Sequence, residues 1–192
     1  QGDELGMINM PFHDISEYKD VESLNFYNMK LKEGWKKEKI MEYLARNSRD
    51  NARTPMQWDD TENAGFSEET PWIAVNPSYK EINAKECLND PDSVFYYYKK
   101  LIQLRKEKKV LVYGNFEMLY REHPKVFAYS RNYEREQIVV ICNFTGEKTE
   151  VLQMEGFTEK NILLSNYQDF VTDRDVLYLR PYEAIIFQTQ GV

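Results

Sequence analysis

Residues 48–59 read Ser48-Arg49-Asp50-Asn51-Ala52-Arg53-Thr54-Pro55-Met56-Gln57-Trp58-Asp59. Two arginines four apart, a proline and a tryptophan share one polar stretch that follows neither a helical nor a strand period. Asp and Asn shape loops through side-chain to backbone bonds, and Pro closes any helix before it. A guanidinium is a rigid fork of donors for carboxylates and hydroxyls. The indole of Trp58 is a flat apolar plate. Donors and a plate together suit a hydroxyl-rich ring such as a sugar. The same residues also suit an arginine pair that ties a loop to its scaffold, because ion-pair networks concentrate Arg and Asp. Arg49 and Arg53 are therefore candidate ligand-binding residues, and a locally helical turn would put both on one side. Arg53 is expected to hold the loop, and Trp58 to pack in the core.

Other reactive side chains are sparse. Asp3 and Glu4, bracketed by Gly2 and Gly6, invite a catalytic reading at a strand exit, but a scaffold role through bonds to loop amides is expected. His13 and His123 lie far apart without a second ligand pattern, which argues against a metal site or a His-based triad. Cys87 and Cys142 lack metal spacing and read as lone buried thiols of a reducing, cytoplasmic protein. The formal net charge of −7 over 192 residues disfavours nonspecific nucleic-acid binding. No apolar run is long enough to span a bilayer as a helix.

The elements that must position these groups follow from periodicity. Val21, Leu24, Tyr27 and Leu31 fall at helical spacing from Asp20 onward, with Asp20 and Glu22 at the positive end of the helix dipole and Gly34 as the break. Ile40, Met41 and Leu44 mark a helix from Lys36 to Arg46. Ser48 to Asn83 has no sustained period, and so long a loop in a compact domain is usually functional. Val94, Tyr97, Tyr98, Leu101 and Leu104 stripe a helix from Ser93 to Lys108, and that stripe is expected to be core. After Val110 the pattern alternates. Strands are predicted at Asn115–Tyr120, Val126–Arg131, Gln137–Asn143, Thr149–Gln153, Asn161–Ser165, Val176–Leu179 and Ala184–Gln188, which together read as an antiparallel sandwich.

Several blocks carry a family resemblance in order along the chain. They are Gln1-Gly2-Asp3-Glu4-Leu5-Gly6-Met7, Tyr18-Lys19-Asp20-Val21-Glu22, the Ser48–Asp59 run, Asn63-Ala64-Gly65-Phe66, Pro71-Trp72-Ile73, Asn76-Pro77, the Ser93–Lys106 helix and Leu179-Arg180-Pro181-Tyr182-Glu183-Ala184. With these the chain resembles the oligo-1,6-glucosidase group of the α-amylase superfamily of glycoside hydrolases. The resemblance implies the C-terminal end of a (β/α)8 barrel over residues 1–109 and a Greek-key antiparallel β domain over residues 110–192. It implies a retaining, exo-acting α-glucosidase that cleaves α-1,6-linked gluco-oligosaccharides. Arg49 would bind the terminal glucose, with Arg53 as a weaker candidate. Trehalose-6-phosphate hydrolase and sucrose isomerase are similar over this region. Ala52, where the trehalose-6-phosphate enzymes often carry Ser, favours the glucosidase.

The paired carboxylates of retaining hydrolysis, about 5–5.5 Å apart, would lie before Gln1, as would the family's metal loop. No catalytic residue, metal ligand or cofactor is therefore assigned within this chain, and the chain alone is expected to be inactive. The expected partners are the gluco-oligosaccharide and the missing N-terminal barrel portion, without which the stripes at Leu24 and Val94–Leu104 would bury little apolar area. A catalytically silent relative, or a non-catalytic carbohydrate-binding or scaffold domain, is the rival class.

Overall fold

Asp20 starts the first helix, α1 (Val21–Lys32), by accepting the Ser23 amide with its side chain. Gly34, at φ 83°, lets the chain leave it. A second helix, α2 (Lys37–Asn47), buries Ile40 and Leu44. These pack with Met10, Phe12, Tyr18, Tyr27 and Ile73 in one cluster. Val21 and Leu31, expected in the stripe of α1, are exposed, while Leu24 and Tyr27 carry its packing. The segment from Ser48 to Asn83 is built largely from 3-10 turns at Arg49–Arg53, Glu62–Gly65 and Pro77–Lys80. A short helix the periodicity did not show, α3 (Ala84–Asn89), is capped by the Asn83 side chain on the Glu86 amide. Two turns are too few to display a period.

The computed structural model describes residues 1–154 and 156–190. They divide into two compact units, Gln1–Tyr98 and the residues from Lys99 onward. Helix α4 (Val94–Glu107) spans the division and buries no residue fully. Leu101 and Leu104 are half-buried, but Val94 and Tyr98 are exposed, against the expectation of a core stripe. A further helical turn, α5 (Val110–Tyr113), lies where alternation was expected to begin, and Val110 is fully buried.

The second unit is antiparallel. Its strands are β1 (Asn115–Leu119), β2 (Val126–Tyr133), β3 (Glu136–Asn143), β4 (Thr149–Leu152), β5 (Ile162–Ser165), β6 (Val171–Asp173), β7 (Val176–Leu179) and β8 (Ala184–Gln190). They form a sheet of order β1-β2-β3-β8-β5 and a second of order β4-β7-β6. Strand β6 was not anticipated, since its three residues are all exposed and carry no alternation. Pairing of Ala128 with Ile141, and of Ile141 with Ile185, fixes one face of the larger sheet. Val126, Ala128, Val139, Ile141, Ile185 and Phe187 on that face meet Val151, Leu177 and Leu179 of the smaller sheet. A one-residue slip would turn all of them outward, so this core sets the register. Phe187 is fully buried and meets Phe157 edge-on at 4.9 Å. Phe187→Ala is expected to destabilise this unit by about 3–5 kcal/mol, measured by urea unfolding; a loss under about 1 kcal/mol would contradict this packing.

Candidate functional site

The Arg49–Arg53 turn is set by its own side chains. Ser48 caps it, its Oγ accepting the Asp50 amide at 3.2 Å, and pairs with Ser23 Oγ at 2.8 Å. Asp50 is fully buried, and its Oδ2 accepts the amides of Lys19 at 2.7 Å and Asp20 at 2.9 Å. Asn51 donates from Nδ2 to the Ala45 carbonyl at 2.9 Å and accepts the Met10 amide at 3.3 Å. Asp and Asn thus shape the loop through backbone bonds, the role expected of their types.

The outcome is one carboxylate with two guanidinium partners. Asp20 is 6 % exposed. Arg49 Nη2 donates to Asp20 Oδ1 at 2.9 Å, and Arg49 Nε to Oδ2 at 3.4 Å. Arg53 Nη1 donates to the same Oδ1 at 3.1 Å. Arg49 Nη2 also lies 2.8 Å from Glu22 Oε2. The 3-10 turn brings Arg49 and Arg53 to one side, as a helical turn would. Burial alone would raise the Asp20 carboxyl, but the hydrogen bonds from Arg49 and Arg53 outweigh it and hold it below the usual carboxylate range. Asp20 therefore serves as an anion that orients donors, and is a poor proton source. Both arginine side chains remain about half exposed. Arg49 Nη1 has no protein acceptor among the described residues, so it presents donors outward. The arrangement suits hydrogen bonding to a hydroxyl-bearing or anionic ligand.

Two polar atoms beside this cluster, Tyr18 Oη and Asp50 Oδ1, are buried without a hydrogen-bond partner among the described residues, although Arg53 Nη1 lies 4.0 Å from Asp50 Oδ1. Burial, the Asp50 charge and the Glu17 charge push the Tyr18 hydroxyl up to about 12. It stays protonated and can only donate or accept a hydrogen bond at neutral pH.

The other candidates fall elsewhere. Asp3 and Glu4 lie in a 3-10 turn closed by Gly2 and Gly6, at φ 88° and 74°. Neither carboxylate bonds a loop amide among the described residues, so the expected scaffold role is not observed. Trp58 is half-exposed, not core; its backbone amide donates to Ala64 while the indole projects outward. The loop is packed instead through buried amide side chains. Gln57 Nε2 donates to the Asn76 carbonyl at 3.2 Å, and Asn76 Nδ2 to the Ile8 carbonyl at 2.8 Å. Cys87 is buried and Cys142 partly so, and burial raises both thiols. Among the described residues no group of three His, Cys, Asp or Glu could hold a metal ion, and no helix is long and apolar enough to cross a membrane. Sequence reasoning assigned Asp20 only to the helix dipole. Its position as an N-cap was the available signal, but nothing in the sequence joins it to arginines 29 and 33 residues away.

Comparison with known proteins places this geometry in a family context. Residues 1–114 match the alpha amylase catalytic domain, and residues 126–186 match the C-terminal domain of the alpha-amylase SusG. The oligo-1,6-glucosidases of Parageobacillus thermoglucosidasius and Bacillus cereus are each 47 % identical over 98 % of this chain. The chain spans about a third of their length, 34 % in each case. Trehalose-6-phosphate hydrolase of Bacillus licheniformis superimposes with a TM-score of 0.88 at 44 % identity, covering 100 % of this chain and 35 % of that one. Trehalulose synthase of Pseudomonas mesoacidophila gives 0.88 at 36 % identity, covering 98 % and 34 %.

The Asp20 geometry has a pH consequence. A carboxyl lowered by folding contributes stability that is complete above its unfolded value, about 3.9, and is lost as pH falls through the lower folded value. Asp20→Asn keeps a cap but removes the charge held by both arginines. The substitution is expected to cost about 1 kcal/mol near neutral pH, or roughly 2–4 °C in midpoint, and to flatten the loss of stability below about pH 4. Thermal melts from pH 3 to 7 check this, and an unchanged acid limb would refute it.

Proposed function

Because this chain belongs to the α-amylase family, we propose that it is the C-terminal part of a retaining, exo-acting α-glucosidase acting on α-1,6-linked gluco-oligosaccharides. Residues 1–109 form the closing part of the barrel, and the antiparallel sandwich follows it. The oligo-1,6-glucosidase relatives, at 47 % identity across nearly the whole chain, support the substrate class. The observation that carries the site assignment is the Asp20–Arg49 pair. A nearly buried carboxylate fixes the guanidinium by two hydrogen bonds and leaves Arg49 Nη1 without a protein acceptor among the described residues.

A pocket that recognises a terminal sugar must bond hydroxyls that a longer chain would have substituted. A planar, permanently charged group whose orientation is fixed in advance loses little entropy in doing so. Arg49 binds the terminal glucose. Arg53 completes the clamp on Asp20 and touches substrate less. The bond-breaking carboxylates belong to polypeptide before Gln1, and so does any metal loop. The missing barrel portion is the partner that completes the site. The reaction proceeds in two displacements, with one carboxylate as nucleophile and the other as acid and then base.

Trehalose-6-phosphate hydrolase is the second reading, supported by the 43 % identity to the Bacillus subtilis enzyme. Rates of the parent protein on isomaltose, sucrose and trehalose-6-phosphate separate these readings. Isomaltose is expected to be preferred, and preference for the phosphorylated disaccharide would overturn the choice. The 192-residue chain alone is expected not to release chromophore from an α-glucoside. In the parent, Arg49→Lys removes charge-assisted bonds worth about 1.5–3 kcal/mol and is expected to lower kcat/KM by roughly 10–150-fold. Arg53→Lys should lower it by less than about 10-fold, since its contact is mainly with Asp20. Equal effects of the two substitutions would refute the division of roles.

A further inference from the structure

The hydrogen bonds that build the Arg49 site leave out the Asn63–Phe66 block of the same unit. Asn63, Ala64 and Gly65 lie consecutively in the left-handed region, at φ 52°, 59° and 65°. That geometry is costly for Asn and Ala. It persists only where the surroundings hold it, and it gathers at sites that clamp ligands. Here the Trp58 and Asp59 amides both donate to the Ala64 carbonyl, at 2.9 and 3.2 Å. Asn63 Nδ2 donates to the Ser67 carbonyl at 3.1 Å. A Cβ at Gly65 would meet the Asp59 carboxylate at 2.8 Å, so glycine is required there.

The loop bent in this way borders a cleft of about 530 Å³ between Thr61 and Glu68. Its volume falls within the roughly 300–1,000 Å³ of small-molecule sites. Phe66 forms the apolar wall and is 45 % exposed. No other aromatic ring packs on it among the described residues, so its face is open. Glu62 and Glu68 line the cleft and are exposed. Neither carboxylate accepts a protein hydrogen bond among the described residues. None of the residues that clamp Arg49 lines this cleft.

We infer that the cleft is a second carbohydrate site, separate from Arg49, that binds a neutral gluco-oligosaccharide. The identity of the sugar rests on the glucosidase reading. A glucose ring offers a CH face to Phe66 and hydroxyl protons to the two carboxylates, and hydrogen bonds from O–H to a carboxylate are among the stronger ones. Charge selects a neutral ligand. No lining residue is cationic. Lys80 and Lys85 are both committed to Asp60, at its carbonyl (2.7 Å) and its Oδ1 (2.9 Å). A phosphorylated sugar would meet like charge from Glu62 and Glu68. A metal ion lacks its ligands, since no group of three His, Cys, Asp or Glu among the described residues could hold one.

Hydroxyl-radical footprinting of the 192-residue chain, read by mass spectrometry with isomaltotetraose as the probe, tests the inference. Labelling of Phe66 relative to Leu31 on α1 is expected to fall severalfold at saturating isomaltotetraose, and to stay unchanged with glucose-6-phosphate. Glu68→Gln alters an exposed side chain. It is expected to keep the melting midpoint and to raise the half-protecting sugar concentration severalfold. Arg49→Lys is expected to leave the protection intact. An unprotected Phe66, in a chain whose parent hydrolyses α-glucosides, would overturn the inference and leave the functional reading standing. Protection of Phe66 by the sugar, with a parent idle on α-glucosides, would do the reverse. An unchanged half-protecting concentration in Glu68→Gln would remove the carboxylates from the site. Loss of protection in Arg49→Lys would make the cleft part of the Arg49 site. Equal protection by glucose-6-phosphate, or protection by calcium chloride alone, would assign it to an ion. Each of these last results would overturn the proposal.

Discussion

A charged or polar group taken out of water must find partners inside the protein, because an unpaired one costs several kcal/mol. Both units are organised around that constraint. In the first, the fully buried Asp50 takes two backbone amides, one of them from Asp20, and Asp20 in turn holds Arg49 and Arg53. In the second, the fully buried Glu183 accepts the Arg180 amide at 2.7 Å, and Arg180 Nη2 at 2.8 Å. The bond to Glu183 raises the Arg180 guanidinium further above its already high value. Asn143, nearly buried beside this turn, donates to the Arg180 and Glu147 carbonyls. These hydrogen bonds explain why the Leu179–Ala184 block reads as a motif.

The same constraint gives the candidate site its character. A guanidinium oriented by a buried anion is pre-organised for ligand binding, and the anion is too well stabilised to serve as an acid. In the enzyme we propose, this chain would contribute recognition, and the bond-breaking carboxylates would come from other polypeptide. Apolar surface follows a parallel logic. The stripe of α4 and the outer face of β1 and β2 have the residue types of a core but only part of its burial.

Much of the fold was legible because period and burial agree. Ile40 and Leu44 in α2 fall one turn apart and are buried together. The unbroken apolar run Ile138–Cys142 is that of a central strand with two covered faces, and β3 does lie between β2 and β8. Segments without a period were not legible: α3 is six residues long, β6 is three, and the turns within Ser48–Asn83 follow side-chain capping rather than hydrophobic spacing. Trp58 was misjudged because its size suggests burial, while the surrounding loop is packed through Gln57, Asn76 and Asn83 instead. The expected core stripe of α4 failed for a related reason. Periodicity reports which face is apolar, not whether anything covers it.

By itself the sequence determined which residue types share a turn, where helices and strands begin, and which family those blocks resemble, since these depend on neighbours a few positions apart. Only the tertiary structure decided that Asp20 is the carboxylate between Arg49 and Arg53, that Asp50 faces inward, and that Phe116, Phe127, Tyr129 and Phe144 form one row. Each of these joins positions far apart along the chain, and such contacts are fixed by packing and strand register, which no local spacing records.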